Sequence, residues 1–355
     1  MEGLAELENL SIESCEELTT LWSDKVGSLP HLPFLHSLDI YNCPKLVSLV
    51  AEEVDQERLQ LSLPKALMYN NMCLQFIEIK KCDSLTHFAR SHLPPALKKL
   101  YISDCKSMSN LVEDDDNDTN NSSCSCGISS LLEVLYVSNC PCLEFLTSSG
   151  ELPATLQCLD IYSCPKLESV AKSFHHNSFL TSINISSCEN LQFLNGGELL
   201  PSNLRHLYIN NCEKMQGLQN GIHSLTSLRD LEIRNCPSIL SFSKEGFPTN
   251  LTTLSIAYLK ITEALFDWGL DNLTYLDHLE IGGCHHLVSF PDMTLPASLT
   301  SLSISDFSNL ECLSSEGLRK LTSLKTLWIF ECKKLTCFSE DGLPPSLLEL
   351  DISKC

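Results

Sequence analysis

Cysteine is the residue type whose spacing could do chemistry in this chain of 355 residues. Closely spaced cysteine pairs bind zinc, and cysteines of secreted proteins join as disulfides. The chain has 19 cysteines, and many of them recur singly, at an interval of 24 residues four times in succession between Cys140 and Cys236. The recurring set is Cys15, Cys43, Cys82, Cys105, Cys140, Cys164, Cys188, Cys212, Cys236, Cys284, Cys332 and Cys355. Single cysteines at long, regular intervals favour a repeated structural position over a metal site.

An acidic segment offers a second possible site. Asp114, Asp116 and Asp118 have the spacing of the first ligands of a calcium-binding loop. Thr119 stands where such a loop needs glycine, and Ser125 stands where it needs a bidentate glutamate. We interpret the segment as a solvated surface loop.

Other metal and catalytic patterns are missing from the sequence. Cys124 and Cys126 lack a second pair at zinc spacing. The neighbours His175-His176 and His285-His286 would point to opposite faces of a strand. The phosphate-binding G-x-x-x-x-G-K-[ST] loop, G-x-S-x-G and H-E-x-x-H do not occur. We therefore expect no catalysis and no cofactor or metal in this chain.

Each recurring cysteine ends the same phrase of apolar residues. Leu156, Leu159 and Ile161 precede Cys164 by eight, five and three positions, and this spacing returns along the chain. Two further copies carry Leu259 or Phe307 in place of the cysteine, which makes fourteen copies of L-x-x-L-x-I-x-x-C. This phrase is the signature of a leucine-rich repeat. It predicts an α/β solenoid, a curved horseshoe of about fourteen repeats of roughly 24 residues, with a concave parallel β-sheet.

The second half of each repeat predicts a loop-rich convex side. Six residues after the cysteine position the chain is again apolar, which predicts a second buried column. Its members are Leu21, Leu49, Phe88, Leu111, Leu146, Val170, Leu194, Leu218, Phe242, Leu265, Phe290, Leu313 and Phe338. Leu-Pro often follows, as at Leu152-Pro153, and proline opposes helix continuation. We expect turns and few long helices.

We expect one domain, a single leucine-rich-repeat solenoid over 1–355, with insertions near 50–72 and 112–130 where the repeat interval lengthens. Solenoids need polar capping units, and the first and last repeats have none. This predicts a piece of a longer polypeptide, or a gene model that has lost its flanks.

The charge of −21 disfavours nucleic acid as a partner, because a phosphate backbone is bound by clustered lysine and arginine. No apolar run reaches the roughly 18 residues of a membrane span, and the start lacks the features of a signal peptide. We therefore expect reduced thiols and a cytoplasmic protein, with a nuclear location also possible.

The predicted sheet offers a recognition surface, because alternate strand residues face the concavity. Its aromatic and charged members are the candidate partner-binding residues, since exposed tyrosine, tryptophan and arginine are frequent interface anchors. They are Tyr101, Tyr136, Tyr162, Tyr208, Arg229, Glu232, Arg234, Trp328 and Phe330. Aromatic residues also suit strands by propensity alone, which is the alternative explanation.

The amino-acid sequences of the repeats resemble those of one family. W-G-L-D-N-L-T at 268–274, L-V-S-F-P at 287–291 and the longer runs at 295–304, 321–329 and 342–352 are similar to plant disease-resistance proteins. Specifically, they look like the leucine-rich repeats of coiled-coil NB-ARC (NBS-LRR) immune receptors. The resemblance implies recognition of a pathogen effector or a guarded host protein, and restraint of the receptor's own nucleotide-binding domain. ADP or ATP would belong to that upstream domain, which this sequence lacks.

Two alternatives remain open. Substrate adaptors of ubiquitin ligases also carry cysteine at this position, but their repeats are longer and this sequence has no F-box. A stand-alone protein-binding scaffold is the other alternative.

Overall fold

The computed structural model describes most of the chain. The described residues are 6–22, 32–50, 73–90, 93–113, 130–174, 179–195, 199–218, 221–240, 245–260, 269–290, 294–313, 316–338 and 343–355. The predicted insertions at 50–72 and 112–130 lie almost wholly outside these ranges, as do the acidic segment, Cys124-Cys126 and His175-His176.

Each copy of the repeat phrase forms a strand of five residues, because its apolar residues alternate with polar ones. The second and fourth residues, which are leucine, isoleucine or valine, point inward, and the first, third and fifth residues point outward. These strands are β1 (Asn9–Glu13), β3 (Ser37–Tyr41), β5 (Phe76–Lys80), β7 (Lys99–Ser103), β9 (Val134–Ser138), β10 (Cys158–Tyr162), β11 (Ser182–Ser186), β12 (His206–Asn210), β13 (Asp230–Arg234), β14 (Thr253–Ala257), β15 (His278–Gly282), β16 (Ser301–Ser305), β18 (Thr326–Phe330) and β20 (Glu349–Ser353).

The chain divides into two compact units. Unit 1 comprises Met1–Leu180 and Ser187–Glu198, and unit 2 comprises Thr181–Ser186 and Leu199–Cys355. In unit 1, strands β1, β3, β5, β7, β9 and β10 pair in parallel in that order. In unit 2, β11 to β16, β18 and β20 do the same. The register has no offset, so equivalent residues of neighbouring repeats lie side by side. The predicted leucine-rich-repeat fold with a parallel sheet is confirmed.

The cysteine column lies in the core. From Cys43 to Cys332 its members are at most 1% exposed, and Leu259 and Phe307, which replace cysteine, are 5% and 0% exposed. Cys15 and Cys355, in the first and last repeats of the sequence, are exposed. The thiols donate to the carbonyl two residues earlier, as Cys164 Sγ does to Tyr162 O at 3.5 Å. The described cysteines are free thiols.

A left-handed residue sits between each repeat strand and its cysteine position. Asn139 has φ 53°, Asn211 has φ 52° and Gly283 has φ 77°. Its backbone N–H donates to the last carbonyl of the next strand, for example from Asn139 N to Tyr162 O at 2.9 Å. Asparagine, aspartate and glycine tolerate this conformation better than other residues do. The turn therefore aims the following cysteine into the core.

The second half of the repeat consists mainly of turns, as predicted. Carbonyls of the cysteine and proline positions accept from the N–H three residues later, as in Leu167 N to Cys164 O at 3.2 Å and Leu156 N to Pro153 O at 3.0 Å. Short strands add to these turns: β2 (Thr20–Trp22), β4 (Ser48–Val50), β6 (Ala89–Arg90), β8 (Val112–Glu113), β17 (Cys312–Leu313) and β19 (Cys337–Phe338). Helices in the described ranges are the 3-10 turns Ile222–Ser224 and Leu270–Asn272 and the α-helix Glu316–Arg319.

The predicted second column is buried along most of its described length. The buried members are Phe88, Leu111, Leu146, Val170, Leu194, Leu218, Phe290 and Leu313. Leu21 and Leu49 are half-buried instead. Phe242, Leu265 and the side chain of Phe338 lie outside the described part.

Within the described residues, no helix has the length and apolar character needed to cross a membrane.

Candidate functional site

The candidate site is the outward face of the repeat strands. Paired strands lie about 4.8 Å apart, so outward side chains in the same register touch across the sheet. This spacing arranges the aromatic residues of neighbouring repeats in rows.

Four rings of unit 1 form a continuous row, the tyrosine ladder, made of Phe76, Tyr101, Tyr136 and Tyr162. Their ring centroids are 5.5, 5.7 and 5.5 Å apart in that order, with interplanar angles of 31–39°. The row runs diagonally, from the first position of β5 through the third positions of β7 and β9 to the last position of β10. All four rings are half-buried. Phe76 is not among the candidates from sequence, because it is the first residue of its strand and the repeat pattern points mainly to the middle residue.

A carboxylate lies within the ladder. Asp160 is the middle residue of β10, directly opposite Tyr136 and two residues before Tyr162. Burial raises the pKa of its carboxyl group. The ladder therefore combines flat apolar surface with one half-buried negative charge.

Tyr208 is not a member of the ladder. It lies in unit 2 and stacks on His206, with ring centroids 6.4 Å apart and an angle of 6°. His206 Nδ1 is 2.6 Å from Asp230 Oδ2. Burial raises the pKa of the Tyr208 hydroxyl, and the charges of Asp230 and Glu232 raise it further.

Glu232 and Arg234 belong to a charged cluster of unit 2. Arg234 Nε is 3.1 Å from Glu232 Oε1 and donates to Ser255 Oγ at 2.9 Å. Arg234 Nη2 also donates to Glu280 Oε2 of β15. This bond spans β14, the strand that carries Ser255. Arg229 does not join the cluster. It precedes β13, is exposed, and donates to the carbonyl of Asn250 at 2.8 Å.

Trp328 and Phe330 lie on β18 but have different neighbours. Trp328 is 41% exposed, and its ring centroid is 6.2 Å from that of His278. The Lys354 Nζ lies 4.6 Å from the centroid of Phe330 and 3.3 Å from Glu331 Oε1. The cation therefore covers part of Phe330, and Trp328 presents the more open ring.

These arrangements are suited to binding. Ring faces contact planar or cationic groups, and carboxylates accept hydrogen bonds from cations. In the ranges that the structure describes, no group of three or more His, Cys, Asp or Glu side chains could hold a metal ion.

Comparison with known proteins found no matching family model and no matching curated protein. Solved structures do match. A leucine-rich repeat protein from Bacteroides ovatus is 14% identical over 90% of this chain and 76% of its own, with a TM-score of 0.21. YopM from Yersinia enterocolitica is 17% identical over 92% and 75%, with a TM-score of 0.34.

A third similar structure is the leucine-rich-repeat ectodomain of the receptor kinase GASSHO1/SCHENGEN3 from Arabidopsis thaliana, in complex with CASPARIAN STRIP INTEGRITY FACTOR 2. It is 14% identical over 94% of this chain, with a TM-score of 0.26, and this chain spans 49% of its length. The fold assignment stands on the chain's own features, since the repeat phrase and the parallel strands that it forms define a leucine-rich-repeat region.

Proposed function

We propose that this chain is the recognition module of a plant intracellular immune receptor. It binds a protein partner, either a pathogen effector or a guarded host protein, and performs no catalysis. The observation that carries the proposal is the tyrosine ladder, in which the half-buried rings of Phe76, Tyr101, Tyr136 and Tyr162 line the outward face of the sheet. Aromatic rings in such positions are frequent anchors of protein interfaces.

The plant immune context is supported by the resemblance of the repeat sequences to those of plant disease-resistance proteins. In a complete receptor of that kind the repeats also restrain the receptor's own nucleotide-binding domain in the cytoplasm or nucleus. Partner and nucleotide-binding domain would then compete for the repeats, so that binding of one weakens binding of the other by linkage. ADP or ATP belongs to the nucleotide-binding domain.

The recognition role is tested by removing rings. The triple ladder variant Tyr101→Ala, Tyr136→Ala and Tyr162→Ala should bind its protein partner at least tenfold more weakly and keep its circular dichroism spectrum. Tyr275→Ala, which removes a ring that is 65% exposed and outside the repeat strands, is the matched control. Equal affinity of the triple variant and the control would contradict recognition by these rings.

The receptor context is tested by long-read sequencing of the native transcript on both sides of this frame. An in-frame G-x-x-x-x-G-K-[ST] loop upstream supports the proposal, and the encoded nucleotide-binding domain should then bind this chain in a pull-down. A genuine start at Met1, together with a cellular protein of this length, would withdraw the restraint role and leave a stand-alone binding protein.

A further inference from the structure

Asp160 is a half-buried carboxylate without a hydrogen bond or an ion pair among the described residues. Tyr136 lies opposite it and Tyr162 lies beside it. The remaining outward residues of β9 and β10 carry no charge: Val134, Ser138 and Cys158. Burial raises the pKa of the Asp160 carboxyl group, and no neighbouring group lowers it.

In the charged cluster of unit 2, by contrast, a partly buried carboxylate is compensated. There the carboxylate of Glu280 is paired with Arg234 and also accepts from Ser255 Oγ at 3.2 Å. Burying a carboxylate is unfavourable unless a cation or hydrogen-bond donors compensate it. Among the described residues no cation or hydrogen-bond donor compensates Asp160, so a partner is able to supply one.

We propose that Tyr136, Asp160 and Tyr162 form a seat for one arginine side chain of the protein partner. A guanidinium group fits this seat because it is planar, stacks on aromatic faces and donates two parallel hydrogen bonds to a carboxylate. The net charge of −21 favours the approach of a basic segment. This inference rests on the proposed function and names the chemistry that the partner presents.

The test uses fluorescein-labelled hexa-arginine, hexalysine and hexacitrulline peptides at physiological salt, with fluorescence anisotropy as readout. Hexa-arginine should bind tightest, and Asp160→Asn should weaken its binding about tenfold. Tyr162→Ala should weaken it as well. The matched control is Asp271→Asn, which neutralises an exposed carboxylate of unit 2 and should leave the affinity unchanged.

Equal losses in Asp160→Asn and Asp271→Asn would overturn the seat, since attraction by the overall charge would then explain the binding. Equal binding of hexalysine or hexacitrulline would overturn the assignment to arginine. The peptides need no native partner. The peptide assay can therefore fail while the proposed function holds. The proposed function has its own tests, namely the ring variants and the sequencing of the transcript.

A separate pair of cysteines lies outside the repeat strands. Cys312 of β17 and Cys337 of β19 are directly opposite each other in a parallel pair. Cys312 is half-buried and Cys337 is exposed. Paired strands are about 4.8 Å apart, which lies within the range of Cα separations that a disulfide spans. A hydrogen bond between the two side chains raises the pKa of the Cys312 thiol.

We infer that Cys312 and Cys337 are a modification site that hydrogen peroxide converts to a disulfide. The exposed Cys337 thiolate attacks one peroxide oxygen, which breaks the O–O bond and gives a sulfenic acid and, after protonation, water. The Cys312 sulfur then displaces the sulfenic hydroxyl, which leaves as a second water. Both sulfurs are oxidised by one electron each, and the peroxide is reduced to two waters.

Cys212 and Cys236 provide an internal control, because they are members of neighbouring repeats with the same strand spacing but are fully buried. Folded protein is treated with peroxide, alkylated, digested and analysed by mass spectrometry. A crosslinked Cys312–Cys337 peptide should form, no Cys212–Cys236 peptide should form, and Cys337→Ser should abolish the crosslink. Oxidation of Cys337 to a sulfinic acid with Cys312 still free would overturn the inference, as would prior reaction of the buried pair.

Discussion

At the scale of single residues, the left-handed position before each cysteine is as regular as the cysteine itself. Asn139 shows why polar residues are frequent there. Its side-chain Nδ2 donates to Asp104 Oδ1 of the previous repeat at 3.0 Å, and its backbone N–H donates to Tyr162 O of the next. The residue thus joins three repeats while its positive φ turns the chain into the core.

Asn139→Val should lower the free energy of unfolding more than Asn139→Gly does. Both variants lose the bond to Asp104. Valine must also adopt a left-handed conformation, which costs about 1–2 kcal/mol, whereas glycine adopts it freely. Strand propensity alone predicts the reverse order. Urea unfolding followed by circular dichroism measures the difference, and equal midpoints would show that the backbone does not impose this conformation.

At the scale of elements, each strand is held mainly by the strands that pair with it in its own unit. Leu159 of β10 is fully buried and lies in register with Leu135 of β9. Repeat units bury their apolar side chains mainly against adjacent units, so a defect is felt first by the nearest strands.

Leu159→Asp should destabilise unit 1 by more than about 4 kcal/mol, because it places an unpaired charge in the core. Hydrogen exchange should show lost protection in β9 and β10 first. Gln157→Asp, an exposed change two residues away, is the control and should leave exchange unchanged. Retained protection in β9 and β10 of the Leu159→Asp variant would contradict the inward orientation of this leucine.

At the scale of the whole molecule, the thiol column gives stability a dependence on pH. Burial raises the pKa of Cys82 and Cys140 from 9.0 to about 11. The unfolded chain therefore loses these protons first as the pH rises. The contribution of the two buried thiols to the free energy of unfolding is complete below about pH 9 and is lost as the pH rises to about 11.

Under reducing conditions, the urea midpoint should therefore fall between pH 9 and pH 11. Each of the two thiols contributes on the order of 2 kcal/mol to that fall. In the double variant Cys82→Ala and Cys140→Ala the fall should be smaller, although the variant is less stable at neutral pH. An unchanged slope in the double variant would assign the alkaline loss to other groups.

The repeat phrase by itself determined the strands, their inward residues, the cysteine column and the turn-rich second half. These features follow from the alternation of apolar and polar residues and from the positions of proline, which depend only on residues close together in sequence. Phe76 joined Tyr101 only in the structure, because contact across strands depends on register and on the diagonal direction of the row. Arg229 lies outside the charged cluster, and Asp160 has no hydrogen bond or ion pair among the described residues. Both facts were likewise decided by tertiary structure. Charge pairing is set by side chains one or two repeats away, as Arg234 shows by bonding Ser255, 21 residues later, and Glu280, 46 residues later.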